Sequence, residues 1–248
     1  MGLRRFKADL HIHTCLSPCG ELTNFPRKIV ERALEAGLDI IAVCDHNTAE
    51  NTEATIRAAD GTGLTVLPGM ELTSEEEVHI LGLFKTMDDL LPVQDEVFRN
   101  LPEVPAESSF VKDQVIVNED DDVLGFSPRF LFAATRLDVY AVVALIHGRG
   151  GLAIASHIDR GAFSLISQLG FVPPDLELDA LEISPQMTIP EARAAFAPAA
   201  HLPLVRFSDA HQPDLIGRTS TDFLLAAPIF EEIRTALQGK NGRRICRS

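Results

Sequence analysis

"NFPRKIVERALEAGLDIIAVCDH", residues 24–46, predicts one helix followed by one buried strand. Pro26 lies in a first helical turn, where proline is tolerated, and Gly37 stands where a left-handed C-cap is needed. "DIIAVC" is almost wholly apolar, as expected for a parallel strand buried on both faces. A further apolar run, "ADLHIH" (8–13), precedes the helix. This strand–helix–strand succession predicts an α/β architecture with right-handed crossovers.

The rest of the chain continues the alternation of apolar runs and helical patterns. Further strand candidates lie at 64–72, 77–84, 151–158, 180–184 and 203–211. Residues 113–126 place "QVIV" and "VLGF" on either side of the acidic run "NEDDD", which predicts a projecting hairpin. A long helix is predicted from Ser127, with Ser127 as its cap and Pro128 at its first position. No internal repeat or linker interrupts the chain, so residues 1–248 are predicted to form a single domain.

Composition limits the classes of partner. The chain of 248 residues has 22 Lys+Arg against 36 Asp+Glu, a formal net charge of −14. Phosphate backbones are normally held by a basic surface, so no long nucleic acid is expected as a partner. A small phosphorylated substrate remains compatible, because bound metal ions can supply positive charge locally. No signal peptide, apolar run of membrane length or disulfide framework is visible in the sequence, and the expectation is a cytoplasmic protein without a membrane partner.

Histidines and carboxylates are concentrated at the ends of the predicted strands. The set comprises six of the eight histidines and three carboxylates: His11, His13, His46, His79, His157, His211, Asp45, Glu71 and Asp209. Side chains two apart on a strand share a face, so His11 and His13 point the same way, as do Asp209 and His211. The carboxyl ends of parallel barrel strands converge on one mouth, where residues distant in sequence meet. One such histidine alone is usually structural, but this set is too large for one tetrahedral ion. It predicts two or three ions that share a bridging carboxylate.

The order of these motifs resembles the PHP (polymerase and histidinol phosphatase) proteins. The matching motifs are "HIHT", "CDHN", "GMEL", "VHILG", "ASHIDR" and "SDAH", and they run from Asp9 to about Gly217. The resemblance implies a distorted (β/α)7 TIM-like barrel, an α/β fold with its metal site at the C-terminal mouth. It also implies hydrolysis of phosphate esters.

The resemblance further implies a ligand set. One metal would be held by His11, His13, Glu71 and Asp209, a second with help from His46 and His211, and a third by Glu71, His79 and His157. Cys19 stands six residues after His13, where the family commonly has His or Asp. A thiolate there would favour zinc or iron over manganese, although manganese stays a candidate. The alternative for Cys19 is a small buried residue that only packs.

Two arginines are candidates for substrate binding. Arg160 follows His157 by three residues. Its guanidinium could bind a substrate phosphate through two hydrogen bonds, or it could form a surface salt bridge. Arg218, after the last motif, is the second candidate. Asp209 and His211 could also move protons, whereas His147 and His201 are predicted to be structural.

These observations predict a metal-dependent phosphoesterase that hydrolyses a small phosphorylated substrate with a metal-activated hydroxide. Two alternatives stay open at this point. A phosphodiesterase or exonuclease on short nucleotides would need the same metals, together with a basic groove or an aromatic stacking platform. A non-catalytic regulatory module would keep the metal site without turnover.

Overall fold

The computed structural model describes residues 2–103, 113–199 and 201–246. Its strands are β1 (Arg4–Ile12), β2 (Ile40–Val43), β3 (Thr65–Thr73), β4 (His79–Leu83), β5 (Val115–Val117), β6 (Val123–Phe126), β7 (Leu152–Ala155), β8 (Ala180–Ile183), β9 (Leu204–Arg206), β10 (Thr221–Leu225) and β11 (Arg244–Ile245). Its helices are α1 (Pro26–Glu35), α2 (Thr52–Ala58), α3 (Met87–Asn100), α4 (Val139–His147), α5 (Leu165–Leu169), α6 (Ile189–Ala195) and α7 (Phe230–Leu237). Within these ranges, no helix is long and apolar enough to span a bilayer.

A nearly closed sheet forms the centre of the fold. Its strand order is β11-β10-β1-β2-β3-β4-β7-β8-β9. Neighbours from β1 to β3 and from β7 to β9 run parallel, whereas β4 is antiparallel to both β3 and β7. A parallel bridge between Ile12 and Ala210 brings the segment after β9 back to the end of β1. The predicted α/β barrel is confirmed, and the reversed β4 is its distortion.

Helix α1 forms for the reasons that the sequence gives. Pro26 occupies its first turn behind an extended Phe25, and Gly37 follows its end with a φ of 67°. The helix buries Ile29, Val30 and Ala33 in a cluster that also contains Ile41 of β2. Full burial of a valine or isoleucine side chain stabilises the fold by about 1.5–3 kcal/mol. The predicted helix and its boundaries are therefore confirmed.

The segment 127–138 is not helical, and the prediction of a helix from Ser127 is wrong. Helix α4 begins only at Val139, where the Asp138 side chain accepts a hydrogen bond from Ala141 N at 2.7 Å. Ser127 N instead donates to Gln114 O at 2.9 Å, and the Gln114 side-chain amide donates to Ser127 O. These tertiary hydrogen bonds outweigh the local helix-start signal. They leave 127–138 as an irregular segment that leads to the barrel mouth.

A two-stranded hairpin precedes this segment. Strands β5 and β6 pair antiparallel, with Val115 opposite Phe126. The fully buried Asn51 ties the inner strand to the barrel, because its amide donates to Val115 O and its carbonyl accepts from Val117 N, both at 3.0 Å. The outer strand exposes Val123 and Leu124 to solvent.

His147 ends α4 and makes stability depend on pH. Its Nε2 lies 2.9 Å from Asp179 Oδ2, and this hydrogen bond raises the pKa of His147 above its ordinary value. A raised pKa means that the folded state binds the proton more tightly, so this contribution is complete below about pH 6.5 and is lost as the pH rises through the folded value.

The free energy of unfolding of the wild type should therefore exceed that of His147→Gln most at acidic pH, and the difference should shrink toward pH 9. Urea titrations of both proteins across this range measure it. A difference that is independent of pH would contradict the assignment.

Candidate metal centre

Glu71 lies at the centre of a buried cluster at the barrel mouth. It stands near the end of β3, and its carboxylate is almost fully buried. Five imidazoles face its two oxygens within 3.5 Å: His11 Nε2 (3.4 Å), His79 Nδ1 (3.1 Å) and His157 Nε2 (3.4 Å) at Oε1, and His13 Nε2 (3.5 Å) and His46 Nδ1 (3.0 Å) at Oε2. A carboxylate with nitrogens around both oxygens could be shared between two ions.

The two histidines of the N-terminal motif are oriented by hydrogen bonds behind them. His11 Nδ1 lies 2.9 Å from Glu182 Oε2, and His13 Nδ1 lies 2.9 Å from Ser17 Oγ. Ser17 itself donates to Asp45 Oδ1 at 2.6 Å, so its hydroxyl oxygen accepts from His13. Each Nδ1 therefore carries a hydrogen, and each Nε2 is left to face the cluster.

The donor set fits a divalent metal. His11 Nε2 and His13 Nε2 lie 3.1 Å apart, and two lone pairs at that separation require a cation or a proton between them. Glu71 Oε1, His79 Nδ1 and His157 Nδ1 are buried and make no hydrogen bond. Three groups place their donor atoms within 4.8 Å of one another: His11–His13–Glu71, His13–His46–His211 and His46–Glu71–His79.

The electrostatics prepare the cluster for cations. Burial acts to raise the pKa of Glu71, but the charges of His79, His11 and His46 hold it well below its ordinary range. Burial lowers the pKa of His13 to about 4 and the pKa of His46 well below its usual value. At neutral pH the carboxylate is therefore ionised and these two imidazoles are neutral, which are the states that ligate metal. His11 differs: burial lowers its pKa, but the carboxylates of Glu182, Asp209 and Glu71 raise it well above its ordinary value, so His11 would lose a proton on binding metal.

Asp209 and His211 reach the cluster from the segment after β9, beside the end of β1. Asp209 has a φ of 48°, a left-handed conformation that turns its side chain inward beside the Ile12–Ala210 bridge. Its Oδ1 lies 3.1 Å from His13 Nε2 and 3.2 Å from His11 Nε2. The His211 ring stacks on His13 with centroids 4.1 Å apart. The structure thus brings together the first and last motifs of the sequence.

Cys19 lies at the rim of the cluster. Its Sγ is 3.2 Å from His46 Nε2, and the residue lines a pocket of about 540 Å³ above the buried ligands. Cys19 is exposed as a residue, which does not fit the alternative of a small buried packing residue. Desolvation of its sulfur in the pocket, together with the carboxylates of Glu71 and Asp209, raises the pKa of the Cys19 thiol to about 12. Without metal the thiol is therefore protonated at neutral pH, and it would ligate only with loss of that proton.

The predicted arginines lie beside this pocket. Arg160 lines the metal pocket, and its guanidinium lies 2.5 Å from Asp209 Oδ2, so its observed partner is a site carboxylate. Arg218 lies in a neighbouring pocket of about 640 Å³, which Arg160 also lines. His147 and His201 lie elsewhere, at the end of α4 and beside an apolar pocket.

Sequence reasoning missed Glu182 and Ser17. Glu182 is fully buried on β8, within "ALEIS". A glutamate inside an otherwise apolar strand is buried, and a buried charge needs a partner. Its position within this apolar run could therefore have indicated a role for Glu182. Ser17 offered none, because a serine in a loop is common without a structural role.

A buried cluster of imidazoles and carboxylates at the mouth of an α/β barrel is the arrangement of a metal-dependent hydrolase. The sequence model of the PHP domain family matches residues 9–163, more than half of the chain, and the chain belongs to this family. It is a hydrolase of phosphate ester bonds. The centre is metal-dependent, as in its family.

Named relatives act on nucleic acids. A 5′-3′ exoribonuclease of Salmonella typhimurium is 27% identical over 252 residues, which cover 83% of this chain and 85% of that protein. The structure of a lesion-specific endonuclease from Pyrococcus furiosus has a TM-score of 0.78 at 19% identity. It covers 98% of this chain, which spans only 58% of that endonuclease. An amidohydrolase from Chromobacterium violaceum has a TM-score of 0.58 at 19% identity, over 85% of this chain and 89% of that one.

The expectation that excluded long nucleic acid is wrong. Endonuclease Q, which has the same fold, has been solved with a 27-mer duplex that carries an abasic lesion at its active site. Net charge is a sum over the whole surface, whereas binding depends on the local field of the groove. A total of −14 therefore does not exclude a nucleic acid.

Proposed function

We propose that this chain is a metal-dependent nuclease that hydrolyses the phosphodiester bonds of single-stranded RNA from its 5′ end. The named exoribonucleases among its relatives support the substrate class, and two of them align over 85% of their own length. The proposal replaces the small phosphorylated substrate with a polymer, but it keeps the chemistry of phosphate ester hydrolysis.

The observation that carries the proposal is an arginine pocket beside the metal centre. Arg160, Arg206 and Arg218 line it, and Asp209 and His211 line both this pocket and the metal pocket. Arg206 is oriented by Pro185 O at 3.1 Å, and its Nε is buried without a hydrogen bond. Guanidinium groups are suited to bidentate binding of phosphate. A strand with one phosphate at the metals would place a neighbouring phosphate in this pocket.

The predicted ligands would hold the ions, with Glu71 as the bridge. His11, His13 and Asp209 would complete one site, His46 and His211 a second, and His79 and His157 a third. Metal bound at this centre would supply a hydroxide near neutral pH and stabilise charge on the phosphoryl oxygens. Glu182 and Ser17 would keep the imidazoles of His11 and His13 oriented. Arg160 would release Asp209 and turn toward the phosphate.

The test uses a 5′-phosphorylated RNA 20-mer labelled at its 3′ end, with the DNA of the same sequence and p-nitrophenyl phosphate as comparisons. We expect metal-dependent release of mononucleotides in order from the 5′ end of the RNA. Arg206→Gln should lower kcat/KM on RNA by about tenfold and reduce the salt dependence of binding by about 0.7 in the log–log slope.

The matched control is Arg57→Gln, which removes an exposed arginine paired with Glu53 on α2. It should not change the salt slope. Turnover of p-nitrophenyl phosphate without cleavage of any oligonucleotide would refute the nuclease proposal and restore the small-substrate interpretation.

Cys19 should set the metal preference of the second site. If its thiolate ligates, Cys19→Asp should shift the bound metal from zinc or iron toward manganese, because a hard oxygen replaces a soft sulfur. The metal content of the protein after equilibration with an equimolar mixture of zinc, iron and manganese ions measures this shift. Cys246→Ser, at the far end of the chain, is the control. An unchanged metal ratio in Cys19→Asp would assign Cys19 to packing alone.

A further inference from the structure

Two phenylalanines form one side of the metal pocket. Phe132 and Phe163 both line it, and their ring centroids lie 6.2 Å apart at 74°. The Phe163 ring stacks on His79 at 4.8 Å, and Phe132 meets His46 edge-on at 6.1 Å. This pair, called the aromatic wall below, therefore stands directly beside two of the proposed ligands.

The wall is held in place although it borders solvent. Phe132 is 49% exposed, yet the Asn47 amide binds the carbonyls on both sides of it, Leu131 O at 2.9 Å and Ala133 O at 3.0 Å. Phe163 has a φ of 58°, a left-handed conformation that is strained for a bulky residue. Its carbonyl accepts from His79 N at 3.0 Å, which fixes that conformation. Strain and ordered backbone around an exposed aromatic ring point to a preorganised binding surface.

The position of the wall defines what it could bind. Phe132 and Phe163 line the metal pocket but not the arginine pocket, whereas Arg206 and Arg218 line the arginine pocket but not the metal pocket. A nucleotide with its phosphate at the metals would therefore meet arginines in one pocket and an aromatic face in the other. Phenylalanine has no hydrogen-bonding groups, and stacking on its face accepts every base.

We propose that the aromatic wall of Phe132 and Phe163 stacks on the base of the nucleotide whose phosphate lies at the metal centre. This inference rests on the proposed nuclease function and deepens it. The wall makes the centre selective for nucleotides over other phosphate esters, without selectivity among the four bases. It supplies the aromatic platform that the amino-acid composition alone did not reveal.

The test measures binding, so it does not depend on turnover. Affinities of the metal-loaded protein for AMP, UMP and ribose 5-phosphate are determined by calorimetry. We expect both nucleotides to bind at least about tenfold more tightly than ribose 5-phosphate, a difference of about 1.4 kcal/mol. Phe132→Leu, which keeps an apolar side chain, should remove most of this difference, and Phe132→Trp should restore it.

Phe171→Leu is the matched control, because Phe171 is 57% exposed beside a different pocket. It should leave the preference for nucleotides intact. Equal affinities for the nucleotides and ribose 5-phosphate in the wild type would overturn the inference. An equal loss for all three compounds in Phe132→Leu would also overturn it, since that result would make the wall a hydrophobic shield for the metals. Either result would be distinct from a failure to cleave RNA, which concerns the nuclease proposal.

Discussion

Glu71→Gln should cost the protein more than one equivalent of bound metal and lower its hydrolytic rate by about 100-fold or more. Both carboxylate oxygens face imidazoles within 3.5 Å, so a neutral amide at this position weakens more than one ion site. Metal assistance contributes several kcal/mol to such reactions, and each 1.4 kcal/mol corresponds to a factor of ten. Elemental analysis after gel filtration and an ester hydrolysis assay measure the two effects.

The control for Glu71 is Glu232→Gln. Glu232 is partly exposed, and its carboxylate pairs with Arg243 at 2.9 Å, outside the metal centre. Its replacement should reduce stability without changing metal content. If Glu71→Gln retained its full complement of metal, the bridging assignment would be wrong, whatever happened to the rate.

Glu182 should act through His11 rather than on the substrate. Its carboxylate lies 2.9 Å from His11 Nδ1, and partners of this kind typically support metal affinity by about 10–100-fold. We expect metal affinity to fall in the order wild type, Glu182→Gln, Glu182→Ala, because glutamine still accepts the hydrogen bond and alanine does not. Competition with a chromophoric chelator provides the dissociation constants.

A second readout separates positioning from mere structural support. Burial lowers the pKa of His11, but the charge of Glu182, followed by Asp209 and Glu71, raises it well above its ordinary value. In the metal-free protein, Glu182→Gln should therefore lower the pKa of His11, as followed by the NMR shifts of its ring. An unchanged pKa together with unchanged metal affinity would remove Glu182 from the site.

The barrel and its metal cluster were predictable because their signals are local and repeated. Most strands of the barrel contain a short apolar run, and a period of two along β1 places His11 beside His13. Asp209 and His211 lie past the end of β9, and the left-handed turn at Asp209, not a strand period, brings them to the cluster. The segment 127–138 was not predictable in this way. Ser127 and Pro128 match the cap and first-turn preferences of a helix start, and hydrogen bonds to Gln114 override them.

Longer-range features were beyond the sequence for a related reason. Glu182 meets His11 across 171 positions, so no spacing rule connects them. Phe132 becomes part of the aromatic wall only because Asn47 binds the backbone on both sides of it. The net charge led to the wrong expectation that the protein has no long nucleic acid partner. A sum over all residues contains no information about where three arginines line one pocket.

The bridge between Ile12 and Ala210 also determines when, during synthesis, the chain can complete its metal centre. His13 and Asp209 stand 196 positions apart, and the seam between Ile12 and Ala210 brings them into contact. A chain still emerging from the ribosome holds its N-terminal histidines long before the last donors exist. Its hydrolytic centre therefore stays incomplete until nearly the whole barrel has been synthesised and closed. Ions that bind only this closed form would then stabilise the contact between the end of β1 and the segment after β9. They would favour the folded barrel over partly folded chains.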